Sequence, residues 1–169
     1  VPYPEFALFY EEEMPKLLRY LLGCFGGTDF RDAADAAQNA FAELLVKWAT
    51  VRNHRAWLRT VAFREMLRQR RVYAEEIFDP LREEFVITSA SERLELREQE
   101  EEVIAVIYQL PLTQRQVFAL HYDQFQYREI AEILGMTEAA VRKNLSRARK
   151  SLQDQLISRQ PESGGREAA

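Results

Sequence analysis

Apolar residues recur at helical steps of three and four in successive segments of the chain. Phe6, Leu17, Leu18, Leu21, Leu22 and Phe25 mark a first helix, open to interruption at Pro15 and expected to stop near Gly26-Gly27, where glycine ends helices readily. Ala33, Ala36, Ala37, Ala40, Phe41, Leu44, Leu45 and Trp48 mark a second, with Asp29 or Asp32 placed to cap it. Its alanine-rich start lets another helix approach closely, which predicts a position inside a bundle. Trp57, Leu58, Val61, Ala62 and Met66 give a third helix its apolar stripe, and Arg59, Arg64, Arg68 and Arg71 mark the opposite face. These elements predict a first helical domain over residues 1–72.

From about Val72 to Ser91 the period fades, and Pro80 with the cluster Thr88-Ser89-Ala90-Ser91 reads as a linker, set at 73–91. The second domain is expected over 92–158. It opens with a polar helix that turns apolar at Val103, Ile104, Ile107 and Leu110 and ends at Pro111. Thr113 and Gln116 have capping-box spacing before a helix through Val117, Leu120 and His121. The stretch REIAEILGMTEAAVRKNLSRARKSL, Arg128 to Leu152, follows. Ile130, Ala131, Ile133 and Leu134 give its first helix a buried face, Gly135 supplies a left-handed stop, and Thr137 can cap the second helix. In that helix Val141, Leu145, Ala148 and Leu152 share one side. Arg142, Lys143, Ser146, Arg149 and Lys150 lie toward the other, with Arg147 at its margin. A small residue, a glycine four positions on and a valine six beyond that meet the steric demands of a helix-turn-helix. Residues 159–169 are expected to be disordered, being rich in small and charged side chains. The fold class expected is all-α: two small helical domains joined by a flexible linker.

Charge sharpens this picture more than composition does. The 169 residues carry a formal net charge of -4, yet the sign alternates along the chain. Arg52, Arg55, Arg59, Arg64, Arg68, Arg70 and Arg71 crowd the third helix against Glu65 alone, whereas acids dominate Glu75 to Glu102, and the last helix is basic again. Two polyanion-facing lobes with an acidic connector fit that order, as do solvated helix faces. A basic helix of this kind can enter the major groove, where Arg and Lys pair with guanine O6 and N7 while other cations hold phosphates.

At 47% hydrophobic and 30% charged residues the chain can bury a core, and its apolar runs fall short of the roughly 20 residues a membrane helix needs. No basic leader with an apolar stretch opens it, and the lone Cys24 cannot form an internal disulfide, which favours the cytoplasm without membrane insertion. The first residue is Val1 rather than Met, which leaves room for a missing segment. Enzyme chemistry finds no foothold. The two histidines, His54 and His121, have no metal-ligand spacing, Cys24 has no evident activating base, and no phosphate-binding glycine loop or serine-nucleophile motif is present. No cofactor, metal or catalytic residue is therefore expected.

LPLTQRQVFALHYDQFQYREIAEILGMTEAAVRKNLSRARKSL resembles region 4 of extracytoplasmic-function sigma factors, which confer promoter specificity on bacterial RNA polymerase. The first lobe resembles their region 2: DFRDAADAAQNAFAELLVKW is similar to the segment that docks on core enzyme, and HRAWLRTVAFREMLRQRR to the one that binds and opens the -10 element. The resemblance implies partners in core RNA polymerase (β′ clamp helices and β flap), promoter DNA and an anti-sigma factor. It assigns Asp35, Gln38 and Phe41 to the polymerase surface, Phe41 fitting core packing equally well. It places Asn53, His54 and Arg55 in the loop that captures a nontemplate base, with Arg59 and Arg64 on the -10 helix behind it. Arg142, Lys143, Ser146 and Arg147 match the residues that face the -35 element. This sequence departs from the family at Ala34 and Asn39, where acids are common, at Ala62-Phe63-Arg64 in place of Ala-Arg-Asn, and at Lys143-Asn144. Asn144 fits either adenine readout or packing beside the first helix.

Two rival readings share these residues: a stand-alone helix-turn-helix regulator, which binds duplex DNA without polymerase, and a sigma-like adaptor that melts no DNA. The resemblance also implies a place for the acidic connector in the polymerase's RNA-exit path, against the plainer role of a solvated tether. Neutralising Glu75, Glu76, Glu83 and Glu84 to glutamine is expected to alter abortive-to-full-length product ratios in transcription with core enzyme; unchanged promoter escape leaves only the tether.

Overall fold

The computed structural model describes residues 3–25, 30–76 and 105–159. Every regular element among them is a helix: α1 Pro4–Cys24, α2 Phe30–Lys47, α3 His54–Glu76, α4 at 105–109, α5 Leu112–Tyr122, α6 Tyr127–Leu134 and α7 Glu138–Arg159. The proposed linker and tail, and Asp29 as a cap, lie outside the described residues, apart from the linker's first four positions, which continue α3. Asp32 sits in the first turn of α2.

Proline placement explains how α1 starts and why it continues. Pro4 occupies the first turn, where a missing N–H costs nothing, and the helix runs unbroken through Pro15 to end at Cys24, short of the glycine pair. At α2 the alanine stripe does what its spacing implies: Ala33, Ala36, Ala37 and Ala40 are all fully buried, with Phe41 and Leu44 beside them. Leu58, Val61, Ala62 and Met66 of α3 complete the first bundle core. An aromatic group at its edge joins Phe6, Phe9, Tyr10, Phe41 and Trp48 in edge-to-face contacts, such as Phe6–Trp48 at 5.2 Å and Tyr10–Phe41 at 4.7 Å.

In the second lobe α6 and α7 pack as the helix-turn-helix spacing requires. Gly135 ends α6 with a φ of 63°, and Thr137 Oγ1 accepts the Ala140 N–H at 3.1 Å to cap α7. Val141, Leu145, Ala148 and Leu152 are buried along α7. On α6 only Ile130 and Ala131 are buried, while Ile133 and Leu134 are partly covered. The capping box expected at Thr113 and Gln116 does not form, because α5 begins one residue after Pro111 and takes Thr113 into its first turn. A reciprocal cap occurs instead at α6, where Glu129 Oε2 accepts the Gln126 N–H at 2.9 Å.

Charge alternation suggested lobes facing outward; the packing joins them. α1 packs on α5 and α3 on α6, and one hydrophobic cluster runs from Phe6 and Leu17 in the first lobe to Val117, Phe125, Ile130 and Leu145 in the second. A small separate cluster, Val106, Leu110, Ala148 and Leu152, ties α4 to the far half of α7. Open space surrounds the position that a methyl group would take on the left-handed Gly135, so its substitution isolates backbone strain from steric clash. Gly135→Ala should lower stability by about 1–2 kcal/mol, and Gly135→Asn by less, as measured by denaturant unfolding; equal stabilities for all three would contradict a strained αL stop.

Candidate nucleic-acid interface

The recognition-type helix α7 presents its cations as the sequence pattern requires. Arg142, Lys143, Ser146 and Arg147 are exposed, as are Arg149 and Lys150, opposite the buried Val141–Leu145–Ala148 side. Arg142 is guided by Glu138, 3.3 Å away one turn back, and lies 5.6 Å from the centre of the Tyr127 ring. Surface pairs of this type contribute little stability, so their effect here is orientation. Asn144 is engaged by its own helix: its side-chain amide donates to Ala140 O at 2.9 Å. That bond lies within α7 and corresponds to neither of the two roles open from sequence.

His121 closes the near end of the same strip. Its Nε2 lies 2.9 Å from Arg149 Nη2, and since the guanidinium only donates, the ring nitrogen accepts. Burial, together with the Arg149 charge, lowers the His121 pKa below its ordinary value.

The first-lobe positions fare differently. Asn53 precedes α3 and caps it, its Oδ1 accepting the Ala56 N–H at 3.1 Å, while its Nδ2 donates to Glu129 Oε1 of α6 at 3.0 Å. His54 stacks on Trp48, with ring centres 3.8 Å apart, and donates from Nε2 to Trp48 O at 2.9 Å. Arg59, expected on the outer face of α3, is instead completely buried. Its Nη1 donates to Glu13 Oε2 at 3.0 Å and its Nη2 to Asp123 Oδ2 at 3.1 Å. Arg55 donates to Glu13 Oε1 at 3.0 Å and to Asp123 O at 3.1 Å. Burial works against the charge on Glu13, but the Lys16 hydrogen bond and the Arg59 and Arg55 charges outweigh it and hold the carboxyl below its ordinary pKa. Arg64 remains exposed at the edge of a cleft of about 310 Å³ between the lobes, lined by Tyr20, Phe63, Gln116 and Met136 among others.

Trp57 is half-buried, within 5.7 Å of Lys47 Nζ, and lines a second cleft of about 390 Å³ with Arg52, Asn53, Glu132 and Ile133. The positions expected to face polymerase divide as well. Asp35 and Gln38 are exposed on α2, Gln38 donating to Tyr10 OH at 2.7 Å. Phe41 is 2% exposed and packs against Phe6, Phe9 and Tyr10, so of its two possible roles the core one is realised. Sequence reading missed Glu13, Asp123, Phe125 and Glu129. Glu129 had a detectable signal, standing three residues after Gln126 as a capping box requires.

Comparison with known proteins bears on the α4–α7 unit directly. Residues 100–152 match the family model for sigma-70 region 4. That stretch is therefore similar to a sigma-70 region 4. A curated relative, named Probable RNA polymerase sigma factor RfaY from Xanthomonas campestris pv. campestris, is 36% identical over 63 residues; the match covers 37% of this chain and 16% of that relative's length. Among solved structures, the sigma factor RpoE in complex with the anti-sigma factor NepR, from Bartonella quintana, has a TM-score of 0.70 at 20% identity, over 94% of this chain and 100% of that one. CnrH in complex with the cytosolic domain of CnrY has a TM-score of 0.68 at 20% identity, over 92% and 89%. The two-lobed helical fold is therefore that of known sigma factors, with region 4 recognisable in sequence and the first lobe in shape. Among the described residues no helix is long and apolar enough to cross a membrane, and no cluster of metal-ligating side chains occurs.

The His121–Arg149 contact sets a pH dependence at the region 4 surface. Because the folded pKa is depressed, the unfolded chain takes the proton first, and stability falls as pH drops through the ordinary histidine value of 6.5. NMR titration of His121 should give a midpoint below 6.5 that rises in Arg149→Ala; a wild-type midpoint at or above that value contradicts the contact.

Proposed function

We propose that this protein is a sigma factor: it binds core RNA polymerase and directs promoter-specific initiation, the first lobe acting at the -10 element and region 4 at the -35 element. The observation that carries the reading is the exposed strip of Arg142, Lys143, Ser146 and Arg147 on a capped helix-turn-helix, inside the stretch that matches region 4. Such a strip has the donors for guanine edges and phosphates in a major groove. With Asn144 held by Ala140 O, those four side chains read the -35 element without it.

In the first lobe, Asp35 and Gln38 offer polar contacts to the β′ clamp helices, while Asn53, Arg55 and Arg64 face the -10 strand and His54 and the buried Arg59 hold the loop and helix behind them. Phe41 supports that surface from beneath. A β-flap contact would fall on region 4. The division into a region 2-like domain at 1–72, an acidic linker at 73–91, region 4 at 92–158 and a tail belongs to the same proposal. So does a cytoplasmic location, where polymerase and promoter are met. The structural neighbours were solved with NepR and CnrY bound, which supports an anti-sigma partner of this chain too. A net charge of -4 fits a protein that binds free DNA poorly and gains specificity once polymerase fixes both lobes on one promoter.

A second reading, a sigma-like adaptor that melts no DNA, draws on the engagement of Asn53, His54 and Arg59 within the protein. Run-off transcription with bacterial core polymerase over a genomic fragment library separates the two. The sigma reading expects promoter-dependent products. Arg142→Ala with Lys143→Ala should then cut transcription by about 10-fold or more, since a bidentate base contact contributes ~1–3 kcal/mol, while co-purification with core is retained. An adaptor yields no product and is indifferent to the substitutions.

A further inference from the structure

Four side chains form a row along the flank of α7 that meets α5 and α6: Arg142, Tyr127, His121 and Arg149. The Arg142 guanidinium carbon lies 5.6 Å from the centre of the Tyr127 ring, that ring lies 5.8 Å from the His121 ring, and His121 Nε2 lies 2.9 Å from Arg149 Nη2. Arg142 and Arg149 stand two turns apart, ~10.5 Å along the helix axis, and so share one side of it. Both are exposed, with Tyr127 and His121 half-buried between them. Their partners differ. Arg142 has the Glu138 carboxylate at 3.3 Å, whereas Arg149, among the described residues, is bonded to a neutral ring and to no carboxylate.

The acids of the elements around His121 are engaged elsewhere. Asp123, two residues on, pairs with Arg59, and Glu129 of α6 accepts from Asn53 and the Gln126 N–H. Glu132 of α6 pairs with Arg128, and on α1, which also packs on α5, Glu13 is taken by Arg55 and Arg59. The charge that faces His121 is therefore that of Arg149. With Nε2 accepting, the neutral ring carries its proton on Nδ1. A second proton, taken from solvent onto Nε2, turns that acceptor into a donor and sets two donors and two positive charges face to face. Burial and the Arg149 charge both oppose this step and hold the His121 pKa below its ordinary value. An anion placed against both groups reverses the balance, because each can donate to it and its charge favours the protonated ring. A DNA phosphate has oxygens for both.

We propose that His121 and Arg149 form a phosphate site on the flank of α7 that protonation completes, so that engagement of duplex DNA by this helix takes up one proton on His121 Nε2. The inference rests on the reading of α7 as the helix that faces duplex DNA. In the free protein His121 is a positioning residue that holds Arg149 beside α5; in the complex its ring and the guanidinium both donate to one phosphate. Proton uptake on binding means that affinity rises as pH falls from the bound midpoint to the free one, and the free one lies below 6.5.

The test follows the His121 ring by NMR in the full wild-type chain, titrated with pH at low salt with and without an excess of a double-stranded DNA oligonucleotide. DNA should raise the His121 midpoint by about one pH unit, a 10-fold preference for the protonated protein. A midpoint that DNA leaves in place or lowers overturns the proposal, whether the duplex binds elsewhere or not at all. Fluorescence anisotropy with the labelled duplex gives a second readout. Between about pH 7.5 and about pH 5.5, across the histidine range, wild type should gain about 10-fold more affinity than His121→Gln, whose amide oxygen can still accept from Arg149 but does not titrate. Equal gains in the two proteins overturn the proposal. Arg149→Ala should lower the salt slope by about one phosphate; an unchanged slope overturns the two-residue site. Run-off transcription with core polymerase tests the sigma reading by itself: a chain that fails it yet shows the midpoint shift keeps the site, and one that initiates without the shift loses the site alone.

Discussion

Arg59 lies with no solvent exposure between Glu13 of α1 and Asp123 at the end of α5, and the relation of the two lobes turns on that placement. A guanidinium cannot be left unpaired in a protein interior; removing one partner of such a buried pair typically costs about 3–5 kcal/mol. The requirement brings three elements to one point. α1 must offer Glu13 on its inner face, α3 must turn Arg59 inward, and the α5–α6 corner must deliver Asp123. Hydrophobic packing then follows continuously from one lobe into the other. An apolar side chain at position 59 could fill the same space without demanding either carboxylate, so the ion pairs act on which surfaces meet more than on total stability.

How far this was legible in the sequence depends on the range of the interaction. Helices with a single apolar face were readable, since Ala33, Ala36, Ala37 and Ala40, or Val141, Leu145, Ala148 and Leu152, announce their burial through spacing alone. Gly135 and Thr137 were readable because stop and cap signals act within a few residues. Arg59 was not. It sits beside Leu58 on the helix, and nothing local distinguishes a cation that meets water from one that meets a carboxylate 46 residues earlier and another 64 later. The cross-lobe partners of Asn53 and Arg55 were hidden for the same reason: a polar side chain is assumed to meet water until a partner is seen.

Asn53 shows how one side chain can serve structure and leave a function open. Its carbonyl oxygen caps α3, while its amide reaches Glu129. The cap is intrinsic to the first lobe, and only the amide depends on the second. Glu129 has the same division, one oxygen on the Gln126 N–H and the other on Asn53. Each residue therefore holds its own helix terminus and, with its remaining polar atom, one hydrogen bond between the lobes. His54 differs. Its stacking on Trp48 and its bond to a carbonyl both lie within the first lobe, so it is part of the scaffold that fixes the Asn53–Arg55 loop.

The two basic surfaces are thus unlike in their availability, which explains how a chain of net charge -4 can hold them. On α7 the cations face solvent, with Glu138 as a light guide on Arg142. Arg55 and Arg59 are instead paired in place, both with Glu13 and Arg59 also with Asp123, so their field does not reach far into solvent at physiological salt. The exposed positive charge is thus concentrated on α7, while that of Arg55 and Arg59 is taken up where the two lobes join.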